Sequence, residues 1–174
     1  MENRSKVPTK KMSGVTLIEL IAVIVILGIL ASFILPKVIG LSSSAKIGVL
    51  NSIVGSMRST IDMTKIKAHA ASMKRADNAS LQSQFIVDFG WASAEIDWRN
   101  LCPESSAELA DRLDMIDFLE LSANSGITSL TNNQYTLIGY DIPGFSTPTN
   151  QGCYIIYDSF GDPDCTLTVV TADC

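Results

Sequence analysis

The chain has 174 residues, 47% of them hydrophobic and 18% charged, with a formal net charge of −5. His69 is the lone histidine, and no Gly-x-Ser-x-Gly, phosphate-binding loop or dinucleotide fingerprint occurs. That removes the usual nucleophile–base sets, and the absence of Cys-x-x-Cys argues against zinc. The chain is therefore read as non-enzymatic.

Residues 1–14 form a basic leader, with Arg4, Lys6, Lys10 and Lys11 against Glu2. Val15 to Leu35 carries one charge, Glu19, and is otherwise apolar except for Thr16 and Ser32. As a helix it would rise roughly 31 Å at about 1.5 Å per residue, matching a hydrocarbon core of about 30 Å. It is apolar all round, unlike the amphipathic helix of a soluble domain. The basic leader places the N-terminus on the cytoplasmic side. A secretory signal peptide fits poorly, because the run is long and ends in Pro36-Lys37 without a small-x-small site. A carboxylate near the centre of a membrane helix costs about 2.5–3.5 kcal/mol on insertion scales, so Glu19 needs either a partner or a place in the headgroup layer. Gly28 and Pro36 weaken the helix between them: glycine lowers propensity by about 1 kcal/mol, and proline removes a hydrogen bond.

Beyond Pro36, Ile47, Leu50, Val54, Met57 and Ile61 follow 3-4-3-4 spacing, which predicts an amphipathic stem. One helix is expected from about Thr16 to about Lys74, bent near Pro36, its stripe packed on a C-terminal head. Residues 75–80 read as a loop. Gln84–Gly90 reads as a strand, and Pro103–Ser122 as a helix with Leu109, Leu113, Ile116 and Leu119 on one face. Tyr135–Asp141, Cys153–Asp158 and Thr166–Thr171 read as antiparallel strands, with a turn over Asp158–Asp164. Phe89-Gly-Trp91 is expected in the core, and the acids of 108–120 on a solvated face. The fold class is α+β. The expected segments are 1–14 leader, 15–36 membrane helix, 37–76 stem and 77–174 head.

Cys102, Cys153, Cys165 and Cys174 all fall in the head, which lies outside the cell on this orientation, so disulfides are expected. Four cysteines allow three pairings, and the sequence does not choose. Residues 37–76 carry seven basic residues and one acid; residues 77–174 carry two basic residues and fifteen acids. The acidic head is read first as a solubilising surface. A second reading sets basic stems against the heads of neighbouring subunits. Asp158, Asp162 and Asp164 put three carboxylates in one turn, so calcium is the one cofactor candidate; no other is expected. Nucleic acid is not an expected partner, since packing would hide much of the basic stem.

GVTLIEL (residues 14–20) followed by about fifteen apolar residues resembles the N-terminal signal of type IV pilins and of the pseudopilins of type II secretion. The resemblance implies cleavage after Gly14 by a prepilin peptidase and methylation of the new N-terminus, Val15. Val15 departs from the family's usual phenylalanine. The resemblance also implies that Glu19 pairs with the Val15 amine of a neighbouring subunit, and that the stretch from Gly28 to Pro36 loses helical form in a filament. LPKVIGLSSSAKIGVLNSIVGSMRST, IVDFGWASAEI and CYIIY are most similar to the mannose-sensitive haemagglutinin (MSHA) class of type IVa pilins, although Ala92 stands where that class has proline. A pilin fold, a surface filament used in attachment, and a disulfide closing the C-terminal loop are implied. The implied partners are the prepilin peptidase, other pilin subunits, the inner membrane and the pilus assembly platform. The implied location is the bacterial inner membrane before assembly and an extracellular pilus afterwards. A minor pilin or a type II secretion pseudopilin is the alternative. Adhesive contacts, if made, would fall to the head loops Thr128–Gln134 and Ile142–Gly152.

Overall fold

The computed structural model describes residues 16–78, 84–109, 111–121, 125–144 and 148–174, and of residues 32–41 only the backbone. A long helix, α1, spans Leu17–Ala70. Glu19 in its first turn and Lys67 and His69 in its last complement the helix dipole. It ends four residues earlier than the periodicity predicts. Ser72 takes a left-handed φ of 59°. Its N–H donates to the His69 carbonyl, and the N–H of Met73 donates to that of Ala68. This paired closure satisfies carbonyls that the next turn would have used.

The chain divides into two compact units at Leu41/Ser42. In the second unit, α1 from Ser42 onward packs on the head. Leu50, Ile53, Val54, Met57 and Ile61 are buried together with Cys102, Met115, Ile138, Cys153, Ile155 and Tyr157. Of the predicted stripe only Ile47 is less than buried. Further along the helix, Ala68 packs with Phe85, Val87, Ile96 and Leu101.

Two antiparallel sheets complete the head. Strands β1 (Ile86–Asp88) and β2 (Ser93–Glu95) form a short hairpin, Val87 opposite Ala94. Strands β3 (Thr128–Thr131), β4 (Tyr135–Asp141), β5 (Cys153–Asp158) and β6 (Thr166–Val170) follow one another in spatial order. Ile138 and Ile155 are register partners and face α1, while Leu137, Tyr154 and Val170 face the other way. That is the alternation a two-faced sheet requires. Gly139 is forced by close approach: a Cβ there would run into the Cys153 carbonyl and the Tyr154 backbone.

The α+β class and the three C-terminal strands agree with expectation. Three details differ. Gln84–Gly90 shortens to Ile86–Asp88. Thr128–Thr131, assigned to a loop, is an edge strand. The helix expected over Pro103–Ser122 is not formed in the described residues, which hold only a 3₁₀ turn, Ile116–Phe118. Its backbone is committed elsewhere: Pro103 bridges Ile96, Leu113 bridges Ala94 in parallel, and Asp111 has a φ of 63°. No helix passes through such positions.

Among the described residues no helix is long and apolar enough to cross a membrane. The described side chains of the apolar run reach only Ala31, about 22 Å of helix from Leu17.

Candidate functional site

The N-terminal part of α1 opens with the Thr16 carbonyl accepting from the N–H groups of Glu19 (3.1 Å) and Leu20 (3.2 Å). Eleven large apolar side chains, from Leu17 to Leu30, are 47–77% exposed. Covering them would gain on the order of 10 kcal/mol, taking about half of the 1.5–3 kcal/mol available per side chain. Glu19 sits exposed among them. Among the described residues a Cβ on Gly28 would meet nothing within 4 Å, so no described contact explains that glycine or offsets its helix cost. Gly14 and Val15 lie outside the described residues, and so does the side chain of Pro36; the helical backbone continues through position 36.

The basic stem faces its own head in three places. Lys46 Nζ donates to the Cys174 carbonyl (3.1 Å) and sits 5.6 Å from the centre of the Tyr140 ring. Lys65 pairs with Asp164. Lys67 Nζ reaches the Asp88 carbonyl (3.5 Å) and lies 5.7 Å from the Phe89 ring centre. Arg58, Lys74 and Arg75 are exposed.

All four candidate cysteines are bridged. Cys102 joins Cys165, and Cys153 joins Cys174, with Cα separations of 6.2 and 4.8 Å. The first ties the irregular segment after β2 to the strand entry at β6; the second ties the last residue to the start of β5. Among the described residues the three turn carboxylates do not come together as one group of potential ligands. Asp158 Oδ1 accepts from Gln134 Nε2 (3.2 Å) and the Phe160 N–H (3.0 Å), while Asp164 pairs with Lys65. Among the described residues, the group close enough to share an ion is Cys102, Asp164 and Cys165, and its two sulfurs are bonded to each other. Asp162 is not part of it.

The head holds a polar centre that sequence reasoning missed. Glu95, Asp97 and Glu104, read as part of a solvated acidic surface, are at most 1% exposed. Glu95 Oε2 accepts from the N–H groups of Glu108 (2.8 Å) and Leu109 (3.0 Å). Asp97 accepts from the N–H and Nη1 of Arg99, both at 2.6 Å. The Arg99 guanidinium lies between the rings of Trp98 (4.3 Å) and Phe160 (4.2 Å). Asn100 Nδ2 donates to the carbonyls of Ser159 and Gly161. Tyr157 Oη donates to the Pro103 carbonyl (2.6 Å). Burial, and then the charges of Asp97, Glu95 and Glu108, push the Glu104 carboxyl up to about 8, with Arg99 opposing. Burial also raises Asp97, outweighing its bonds to Arg99. Burial first, and then the charges of Glu104, Asp97, Asp158 and Asp164, push the Tyr157 phenol well above its ordinary range. Sealed from solvent, Glu95 and Glu104 offer no access to a substrate.

Phe89, Trp91 and Phe118 form a surface cluster with ring centres 5.3–6.4 Å apart. Trp91 is 70% exposed, correcting its placement in the core. His69 is exposed in the last turn of α1.

Residues 9–35 match the prokaryotic N-terminal methylation motif. A 57-residue stretch is 39% identical to the type II secretion system core protein G of Pseudomonas aeruginosa. That match covers 33% of this chain and 40% of the relative. No solved structure matches. The motif and the relative support a type IV pilin-like protein, pilin or pseudopilin.

Proposed function

We propose that this type IV pilin-like chain is a structural subunit of a type IV pilus. It is made as a single-pass inner-membrane prepilin with a cytoplasmic N-terminus. It is cleaved after Gly14, methylated at Val15, and polymerised through α1 by the assembly platform into an extracellular filament that supports attachment. The observation that carries this reading is the helix of eleven exposed large apolar side chains around a single exposed carboxylate, Glu19. Lipid would cover that surface before assembly and neighbouring helices afterwards. Glu19 would then meet the Val15 amine of a neighbour, an ion pair that a one-residue slip would undo. Gly28, where an added Cβ would meet nothing among the described residues, leaves the helix free to loosen there. Two disulfides fit a head exported to an oxidising compartment.

The similarity to a type II secretion core protein favours a second reading, a pseudopilin of a secretion machine. Mass spectrometry of the chain from sheared surface fibres tests the first. An N-methylated Val15 at the start of an abundant fibre protein is expected. An intact leader, or processed chain confined to the envelope with loss of protein secretion on deletion, would refute the pilus assignment.

A further inference from the structure

The polar centre of the head has no part in the filament reading, yet it is built around one loop. In its described residues the segment 102–121 lacks regular structure apart from its 3₁₀ turn, and it leans on that centre at several points. The Glu104 N–H donates to the Glu95 carbonyl, and the Glu104 carbonyl accepts from the Met115 N–H (2.9 Å). The Glu95 carboxylate holds the N–H groups of Glu108 and Leu109. Tyr157 holds the Pro103 carbonyl, and Ser105 Oγ donates to the Gln134 carbonyl (2.8 Å). At its far end the segment carries Phe118, set edge-to-face against Phe89 and Trp91 at the surface. Four carboxylates converge from different elements: Glu95 from β2, Asp97 from the loop after it, and Glu104 and Glu108 from the segment itself. Arg99, also facing Glu104, is already engaged with Asp97, and Tyr157 faces it from β5.

We propose that Glu104 is a proton-controlled latch: while protonated it keeps the segment 102–121 docked on the sheet, and on losing its proton it loosens that segment and the Phe89–Trp91–Phe118 surface that depends on it. The physical reason is that ionised Glu104 would be a further negative charge among Glu95, Asp97 and Glu108 in a site closed to water, where charge is strongly disfavoured. Opening the segment returns the carboxylate to solvent. The sign follows from linkage. Glu104 ionises near 8 when docked and near 4.5 when free, so the closed form is fully favoured below about pH 4.5. It loses about tenfold per pH unit from there to pH 8 and levels off above.

The test is amide hydrogen exchange of the full-length chain in detergent micelles, corrected for intrinsic rates, from pH 6.5 to 9.5. The N–H groups of Glu108, Leu109 and Met115 should exchange through an opening less costly than that of Ile138 and Ile155. Their protection should fall about thirtyfold across this range. In Glu104→Gln it should change less than threefold. The same pH dependence in both proteins would overturn the proposal, as would segment amides that exchange only together with the sheet. If the variant does not fold, a carboxyl NMR titration of Glu104 in the unmodified chain decides. A midpoint between 7 and 9 supports the latch, and one below 6 overturns it.

Discussion

Replacing both Cys153 and Cys174 by alanine should weaken the head by about 3 kcal/mol. The bridge closes a loop with a sequence separation of 21. In the chain-entropy treatment, constraining such a loop in the unfolded chain is worth about 3 kcal/mol. The Cys102–Cys165 bridge spans 63 residues, which raises the figure to about 4 kcal/mol. The ranking is the sharper part of the prediction, because the difference of about 1 kcal/mol depends on the ratio of loop lengths alone. Local contacts temper the first loss. The Asp173 N–H donates to the Gly152 carbonyl (3.0 Å), Asp173 Oδ2 accepts from the Gly152 N–H (2.7 Å), and Lys46 still reaches the C-terminal carbonyl. Urea unfolding of the full-length chain in detergent, without reductant, measures each double variant at an unchanged slope. A loss below 1 kcal/mol in both, or a larger loss for the shorter loop, would refute the entropic reasoning.

Tyr157→Phe should cost about 1–3 kcal/mol in the same assay, because it leaves the buried Pro103 carbonyl without its donor. Gly139→Ala should be worse tolerated than Gly28→Ala: the first drives a methyl into the β5 backbone, while the second meets open space and should leave head stability within about 0.5 kcal/mol. Lys65→Ala should cost at most about 1 kcal/mol and lose its effect in high salt, since Asp164 is more than half exposed. Glu104→Gln should stabilise the head at pH 8 but not at pH 4.5, where the native carboxyl is already protonated. A variant equally stabilising at both values would show that its effect is steric.

What could be read from the sequence follows from how strongly each element repeats. The stripe Leu50–Val54–Met57–Ile61 recurs at helical spacing over about three turns, and all four side chains are buried. Strands β4, β5 and β6 alternate or run apolar between turn formers, and their limits agree with the structure to within one residue. The segment 103–121 misled because Leu109, Leu113, Ile116 and Leu119 mimic a helical face, whereas long-range partners hold the backbone: Glu95 from below and the bridges to Ala94 and Ile96. Glu95, Asp97 and Glu104 gave no local sign of burial, since an acid enters a core only when tertiary partners are in place. The pairing of the cysteines was likewise fixed by the sheet, which brings the chain's end back beside β5. The N-terminal motif was legible because its chemistry is local, a glycine and a carboxylate five residues apart at the edge of an apolar run.

In the proposed filament, Glu19 serves assembly rather than anchoring. Surface filaments and membrane content should be measured for Glu19→Val in cells lacking the native chain. The expected result is an inner-membrane protein cleaved after Gly14 at normal abundance, with no surface filaments. Filaments in normal number from this variant would contradict it.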